Sequence, residues 1–158
     1  MIRLNLGCND LPMDGWTNID SDIRVKPDLV ADCLNLPYED NSVDEIYAGH
    51  LLEHTTPEEE ALREWHRVLK VGGKITITVP DVEKLLKLFN KKEIDLGLLN
   101  QVVFGANDRD EQNHHQIFTE LILLEQMNKY FHAYIIPDSP YALIKVDWQT
   151  ICEGIKND

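Results

Sequence analysis

Four short β-type segments open the sequence, and the gaps between the first three are too short for ordinary helices. Ten residues lie between Leu6 and Thr17, and eight lie between Asp20 and Leu29, whereas a mean α-helix takes about 11–12 residues. Ten extended residues still span about 33 Å, so the chain can return between parallel strands as a loop. We therefore expect no regular helix in either gap. The four segments are Ile2–Leu6, Thr17–Asp20, Leu29–Ala31 and Glu45–Ala48.

A helix and then a strand occupy the middle of the chain. Thr56 is predicted to cap the helix, with Glu59 in the capping-box position. Apolar residues recur at helical spacing until Gly72–Gly73, which is expected to close the helix. Lys74–Val79 then alternates apolar and polar residues, which predicts a strand that ends at Pro80. Strand, helix and strand in succession favour an α/β fold with a mainly parallel sheet.

The second half of the chain predicts three shorter helices and a C-terminal antiparallel hairpin. A polar stretch, Gly105–Gln116, separates the second of these helices from the third. Two prolines around Asp138 and Ser139 supply the turn signal of the hairpin. The predicted helices are Val82–Lys91, Leu96–Val103 and about Thr119–Lys129, and the predicted hairpin strands are Phe131–Ile136 and Tyr141–Val146.

Composition restricts the class of protein and its partners. With 158 residues, of which 43% are apolar, we expect a single domain spanning 1–158. The net charge of −13 would repel a phosphate backbone, so no nucleic-acid partner is expected. No apolar run approaches the ~20 residues of a membrane span, and the N-terminus lacks the pattern of a signal peptide. Three widely spaced cysteines without a CxxC pair predict reduced thiols and a cytoplasmic protein.

Glycine and carboxylate residues follow the first strands. Gly7 comes directly after the first strand, where a missing Cβ lets a ligand approach the backbone closely. Asp20 closes the second strand and could accept both hydroxyl groups of a ribose, while Asp32 follows the third. Each residue taken alone also fits an ordinary turn, cap or loop. Because ligands of open parallel sheets bind beyond the carboxyl ends of the strands, it is the order of these residues that suggests a site.

The order and spacing of these elements resembles the class I S-adenosylmethionine-dependent methyltransferases, in particular small methyltransferase domains with an LNLGCG-type first motif. The resemblance implies a Rossmann-like, mainly parallel sheet and S-adenosylmethionine as cofactor. It covers about residues 4–81 and rests on five segments: Leu4–Asn9, Trp16–Asp20, Asp28–Tyr38, Ser42–His54 and Arg67–Gly73.

The resemblance also implies a role for individual positions of this sequence. The turn after the first strand would pass its backbone beside the methionine part of the cofactor, and Asp20 would hold the ribose hydroxyls. The segment from Asp32 would border the adenine, and the end of the fourth strand would face the sulfonium and its methyl group. Glu53 and His54 are interpreted as structural. The implied cofactor-binding residues are Gly7, Cys8, Asn9, Asp20, Asp32, Cys33, Leu34, Gly49 and His50.

Two features depart from the family pattern. Asn9 stands where the family prefers a second glycine, although asparagine tolerates a left-handed φ better than most residues. The absent helices leave one face of the sheet with reduced cover, and Arg3 and Asn5 alternate with leucines as a polar face requires. We expect that face to be solvated, covered by Val82–Val103, or buried against another subunit, which leaves a homodimer open.

Methyl transfer requires a base only when the acceptor is a hydroxyl or a protonated amine. The candidates for that role are His50, His115 and Asp81. The polar stretch Gly105–Gln116 is interpreted as a solvated loop or as a lid that faces the substrate. No metal site is expected there, because the adjacent His114 and His115 lack the i, i+4 spacing of helical ligands. Acceptor specificity is predicted to reside in residues 82–115.

Two other functional classes compete with methyl transfer. A nicotinamide-dependent oxidoreductase would need GxGxxG opening a helix, which this chain lacks. A methyltransferase fold kept as a non-catalytic binding or interaction module is the stronger rival, favoured by Asn9 and by the missing helices. The sequence does not identify the methyl acceptor; we expect a small molecule or a sugar, with no nucleic acid and no membrane as partner.

Overall fold

In a computed structural model, which describes residues 1–105, 113–142 and 146–158, seven strands form one sheet in the order β3-β2-β1-β4-β5-β7-β6. Strands β1 to β5 are parallel to their neighbours, whereas β7 is antiparallel to both β5 and β6. This confirms the predicted Rossmann-like sheet with an antiparallel C-terminal pair. The strands are β1 Arg3–Leu6, β2 Thr17–Asp20, β3 Leu29–Val30, β4 Val43–Gly49, β5 Leu69–Pro80, β6 His132–Ile136 and β7 Gln149–Ile155.

Among the described residues, four α-helices accompany the sheet: α1 Glu58–Val68, α2 Val82–Asn90, α3 Leu96–Phe104 and α4 Glu120–Met127. The residues of the two gaps, 7–16 and 21–28, are all described and contain only one 3-10 turn, Ile23–Val25. The expectation that these gaps hold no regular helix is therefore confirmed. Within the described parts of the chain, no helix is both long and apolar enough to cross a membrane.

One face of the sheet carries the main core. Alternate residues of the central strands, such as Leu4, Ile46 and Ile77, are fully buried there. Helix α1 packs Trp65 and helix α4 packs Met127 into the same cluster. Since α1 and α4 are the helices on this face, the core has an ordinary two-layer α/β arrangement.

The opposite face is polar. Lys74 of β5 bridges Glu45 and Glu153 at 3.2 and 3.4 Å, across three neighbouring strands. A small cluster of Met13, Trp16 and Tyr47, joined by the half-buried Tyr141, covers part of this face. Residues 13–16 and Tyr141 thus supply part of the cover, a contribution that the sequence did not predict.

Helix α1 differs from its prediction at both ends. Pro57 rather than Thr56 occupies the N-cap position, with no side-chain hydrogen bond to the helix, and the first turn carries three glutamates instead. The helix ends at Val68, and β5 runs on through both glycines. Gly72 does have a positive φ of 77°, as expected. It lies within the strand, because backbone bonds join Gly72–Gly73 to Lys156 near the end of the chain.

The second strand of the C-terminal pair lies further along the chain than predicted. The strand is Gln149–Ile155, whereas Tyr141 and Ala142 follow a turn at Ser139 and residues 143–145 lie outside the described parts. Long-range packing explains this position. An added Cβ at Gly154 would lie 2.8 Å from Phe131 Cβ and 3.0 Å from Met127 Cε, so a glycine lets β7 lie close beneath α4.

Thr76, on the polar face of the sheet, should tolerate replacement by an apolar residue of the same shape without loss of stability. Thr76 of β5 is fully buried, and its hydroxyl has no hydrogen-bond partner among the described residues. Replacing such a group by an apolar isostere removes a desolvation cost. We expect Thr76→Val to leave the free energy of unfolding in urea unchanged or to raise it by up to about 1 kcal/mol.

Thr55→Val is the matched control, because the buried Thr55 hydroxyl donates to the Leu52 carbonyl at 2.9 Å. Losing that bond should lower the free energy of unfolding by about 1 kcal/mol. A loss in Thr76→Val as large as that in Thr55→Val would show that the Thr76 hydroxyl is satisfied.

Candidate functional site

A cleft of about 400 Å³ lies at the carboxyl ends of β1, β2 and β4. Six of the nine residues implied for cofactor binding line it: Gly7, Asn9, Asp20, Asp32, Cys33 and His50. A larger hollow of about 530 Å³ lies elsewhere and shares only Leu34 with the implied set. We take the smaller cleft as the candidate site, because ligands of parallel sheets bind at the carboxyl ends of the strands. Its lining is completed by Ile19, Ser21, Asp22, Ile23, Arg24, Val25, Ala31, Leu51 and His54.

The turn after β1 has the backbone conformation that a close ligand approach requires. Gly7 has φ 61°, and Asn9 has φ 45°, so asparagine adopts the left-handed conformation in place of the family's glycine. A Cβ at Gly7 would lie 2.8 Å from Leu51 Cδ1. Cys8 points inward: its thiol is buried, and burial, with Asp20 and Asp28 nearby, raises the pKa of Cys8 to about 11. Cys8 thus contributes only its backbone to this turn.

Asp20 holds together the two loops that flank the cleft. One carboxylate oxygen accepts from the Asn9 backbone N–H at 2.9 Å, and the other accepts from the Asp22 N–H at 2.9 Å. An ionised carboxylate has about four acceptor positions. Both oxygens of Asp20 therefore keep capacity for further donors from the cleft.

The loop after β3 is fixed by two different contacts. Asp32 accepts from the Leu34 N–H at 2.8 Å, and the Cys33 carbonyl accepts from the Trp65 indole at 3.0 Å. Leu34 packs against the main core instead of lining the cleft. Burial raises the pKa of the Cys33 thiol to about 12, so this cysteine stays protonated at neutral pH. The loop presents Asp32 and Cys33 to the cleft from a rigid support.

Strand β4 ends beside a histidine held in a strained conformation. A Cβ at Gly49 would lie 2.7 Å from Tyr47 Cζ, so no larger residue fits there without moving the ring. His50 has φ 51° and lines the cleft. Its Nε2 lies 3.1 Å from Gln149 Oε1, and its Nδ1 lies 3.3 Å from Glu53 Oε1. Burial alone would lower the pKa of His50, but Glu53 and Gln149 outweigh it and raise the pKa above its usual value.

Glu53, which the sequence suggested only as a structural residue, is the most unusual side chain near the cleft. It is 1% exposed, and neither carboxylate oxygen has a hydrogen bond among the described residues. Besides His50, the cluster around it contains His54 and His114, whose rings lie 4.7 Å apart. Burial lowers the pKa of His114, despite the opposing effect of Glu53. The apolar Leu51 and Leu52 before Glu53 were the only sequence signal of its burial.

The other two candidate bases lie outside the lining of the cleft. Asp81 is 2% exposed and caps α2 by accepting from the N–H groups of Glu83 and Lys84. Its second oxygen accepts from the Thr150 hydroxyl at 2.7 Å. His115 is exposed, and its backbone N–H donates to the Glu53 carbonyl. Residues 106–112, most of the stretch interpreted as a loop or lid, lie outside the described parts of the chain.

The sequence of this region matches a known family. Residues 17–77 match the family model described as a methyltransferase domain. Demethylmenaquinone methyltransferase of Staphylococcus haemolyticus is 39% identical over 98 residues, which make up 51% of this chain and 41% of that protein. Methyltransferase GfsG of Streptomyces halstedii is 43% identical over 54 residues, 34% of this chain and 19% of that protein. The matches thus span less than half the length of either relative.

Solved structures share the whole fold at low sequence identity. A SAM-dependent methyltransferase of Thermotoga maritima aligns with a TM-score of 0.68 at 18% identity, over 99% of this chain and 82% of that one. The 1,6-didemethyltoxoflavin-N1-methyltransferase of Burkholderia thailandensis, solved with 1,6-didemethyltoxoflavin and S-adenosylhomocysteine, aligns with a TM-score of 0.62 at 16% identity, over 99% and 71%. These likenesses extend over the full sheet, including the C-terminal pair of strands.

A methyl group added at Gly7, in the turn after β1, should lower the stability in two ways: by backbone strain at a positive φ and by overlap with Leu51. Gly7→Ala places a side chain at a positive φ, which costs about 1–2 kcal/mol, and also pushes on Leu51. Overpacking of this kind adds about 1–3 kcal/mol. We expect Gly7→Ala to lower the free energy of unfolding in urea by at least about 2 kcal/mol.

Gly72→Ala provides the matched control. Gly72 also has a positive φ of 77°, but an added Cβ would meet nothing within 4 Å. This variant should lose only the conformational part, about 1–2 kcal/mol. Equal losses in the two variants would show that Leu51 does not confine the backbone at Gly7.

Proposed function

We propose that this chain is a class I S-adenosylmethionine-dependent methyltransferase that binds its cofactor in the cleft at β1, β2 and β4 and methylates a small-molecule acceptor, sugars included. The observation that carries this proposal is the convergence of Gly7, Asn9, Asp20, Asp32 and His50 on one cleft. These residues come from four separate segments of the sequence, and the resemblance had implied all of them.

The chemistry of the cleft fits the parts of this cofactor. Its volume of about 400 Å³ lies within the range of about 300–1,000 Å³ that is typical of ligand pockets. Asp20 supplies carboxylate oxygens with free acceptor capacity for the ribose hydroxyls. Gly7 lines the cleft without a side chain, so the amino-acid part can approach its backbone closely. Apolar Ile23 and Val25 line the same cleft as Asp32, as an adenine ring needs.

S-adenosylmethionine, when bound, supplies a methyl group that its sulfonium already activates. The protein must then align the acceptor, exclude water and, for a hydroxyl or protonated amine, accept a proton. His50 is the one of the three candidate bases that lines the described cleft. Gln149 Oε1 and Glu53 Oε1 lie beside its two ring nitrogens and orient the ring.

Small molecules are the acceptor class that best fits the charge and the relatives. The net charge of −13 disfavours polyanions as acceptors. The relatives named for demethylmenaquinone and 1,6-didemethyltoxoflavin support a small-molecule acceptor here. The three cysteines are free thiols, which fits the cytoplasm as compartment. The left-handed conformation of Asn9 removes one of the two reasons to prefer a non-catalytic module.

Titration calorimetry with S-adenosylhomocysteine tests the cofactor proposal. We expect one site, and we expect Asp20→Ala to weaken binding about ten- to a hundredfold, because a hydrogen bond to a charged group contributes about 1.5–3 kcal/mol. Asp14→Ala is the matched control, since Asp14 is exposed and does not line the cleft. Its affinity should equal that of the wild type.

Circular dichroism of each variant checks that the fold is retained. If Asp20→Ala folds and binds S-adenosylhomocysteine as tightly as Asp14→Ala, Asp20 does not hold the ribose. If the wild-type chain shows no saturable binding, the cleft does not hold this cofactor.

A further inference from the structure

The Glu53 carboxylate is buried with few donors around it. Glu53 lies on the short turn Leu52–His54, and its side chain is 1% exposed. His50 Nδ1 lies 3.3 Å from Oε1, beyond the distance of a good hydrogen bond. The buried side-chain oxygen of Asn113 has no hydrogen bond among the described residues. A buried carboxylate with so few donors is costly, and native structures almost always satisfy such a group with a partner, a water or an ion.

Two histidines bring nitrogen ligands to the same place. One ligand atom each of Glu53, His54 and His114 lies within 4.8 Å of the other two. Tetrahedral bonds of about 2.1 Å to a single ion would place these atoms about 3.4 Å from one another. Side-chain movements of up to about 1.4 Å would therefore close the set, now within 4.8 Å, around an ion.

Both histidine rings have backbone contacts of the kind that metal ligands usually have. His54 Nδ1 lies 3.2 Å from the Asn113 carbonyl oxygen. A contact with the Val102 backbone opposes the fall in the pKa of His114. Metal-binding histidines commonly donate one ring N–H to a backbone carbonyl, which fixes the ring and its tautomer. The backbone thus restrains both rings.

We propose that Glu53, His54 and His114 bind a divalent transition-metal ion, with Zn²⁺ as the representative. Two imidazoles and a carboxylate suit such ions better than Mg²⁺ or Ca²⁺, which prefer oxygen ligands alone. Three protein ligands leave at least one coordination position open, as in catalytic rather than structural sites. His54 also lines the cleft, so an ion bound by this set would lie at the border of the cleft.

The ion would lower the pKa of a coordinated hydroxyl group, whose proton leaves to solvent; the resulting oxygen anion then attacks the methyl carbon as its bond to the sulfonium breaks, which makes an acceptor with a hydroxyl group the favoured class. This role rests on the proposed function, whereas metal binding itself does not. The distance along the chain explains why the sequence did not predict the site. His114 lies 60 residues after His54, and long-range contacts such as the bond from the His115 N–H to the Glu53 carbonyl bring it back.

The test is a metal titration of the full chain after treatment with a chelator. Calorimetry with Zn²⁺ measures affinity and stoichiometry, and Co²⁺ reports its ligands through its visible absorption. We expect one equivalent to bind, and we expect His114→Ala and Glu53→Gln each to weaken binding at least about a hundredfold, since even loss of an outer contact costs 10–100-fold. His132→Ala, which removes an exposed histidine at the start of β6, should bind as the wild type does.

The metal titration tests the metal site, and the titration with S-adenosylhomocysteine tests the cofactor site. The two results are independent of each other. Absence of saturable binding at one equivalent would overturn the metal site, even if S-adenosylhomocysteine binds. Unchanged affinity in a folded His114→Ala chain would place the ion elsewhere and overturn it too. A thiolate-to-cobalt charge-transfer band would assign the ion to a cysteine and would therefore also overturn the proposed site. Should Glu53→Gln fail to fold, the half-buried His114 still gives the result.

Discussion

The loops at the carboxyl edge of the sheet are held by hydrogen bonds from side chains to backbone, and the candidate site depends on these bonds. Where a longer chain would dock a helix after each strand, this chain has ten and eight residues. Asp20 ties the turn after β1 to the loop after β2 through two backbone N–H groups at 2.9 Å. Trp65 holds the next loop through the Cys33 carbonyl. Hydrogen bonds to a charged acceptor such as Asp20 are stronger than bonds between neutral groups. They hold the short loops in the positions that form the cleft.

Because the chain has few helices, the two faces of the sheet differ in polarity. The face under α1 and α4 buries a continuous apolar cluster, which supplies most of the hydrophobic stabilisation. The other face has charged and hydroxyl side chains at its centre, including Lys74 between two glutamates. Partly covered polar groups of this kind contribute little to stability. We conclude that the fold is stabilised from one side and that loops complete the other.

The sequence predicted the sheet well, because its evidence is local. The alternation of Ile75, Ile77 and Val79 with polar residues indicates β5 directly, and gap length alone excluded two helices. The position of β7 could not be found in this way. The run from Tyr141 has strand-like composition, but β7 is selected by Gly154 fitting beneath α4, a contact between distant segments. Gly72 shows the same limit, since its positive φ serves a strand and not a helix end.

The cleft was predictable from a resemblance, whereas the cluster around Glu53 was not. A buried carboxylate beside three histidines appears only when the segment before α4 folds back onto the end of β4. Chemical-shift mapping with S-adenosylhomocysteine tests the central claim most directly. We predict that backbone amide signals change at Gly7, Asn9, Asp20 and Asp32, and that those of Arg63 and Arg67 at the larger hollow stay constant. Changes confined to that hollow, or no changes at all, would contradict the account.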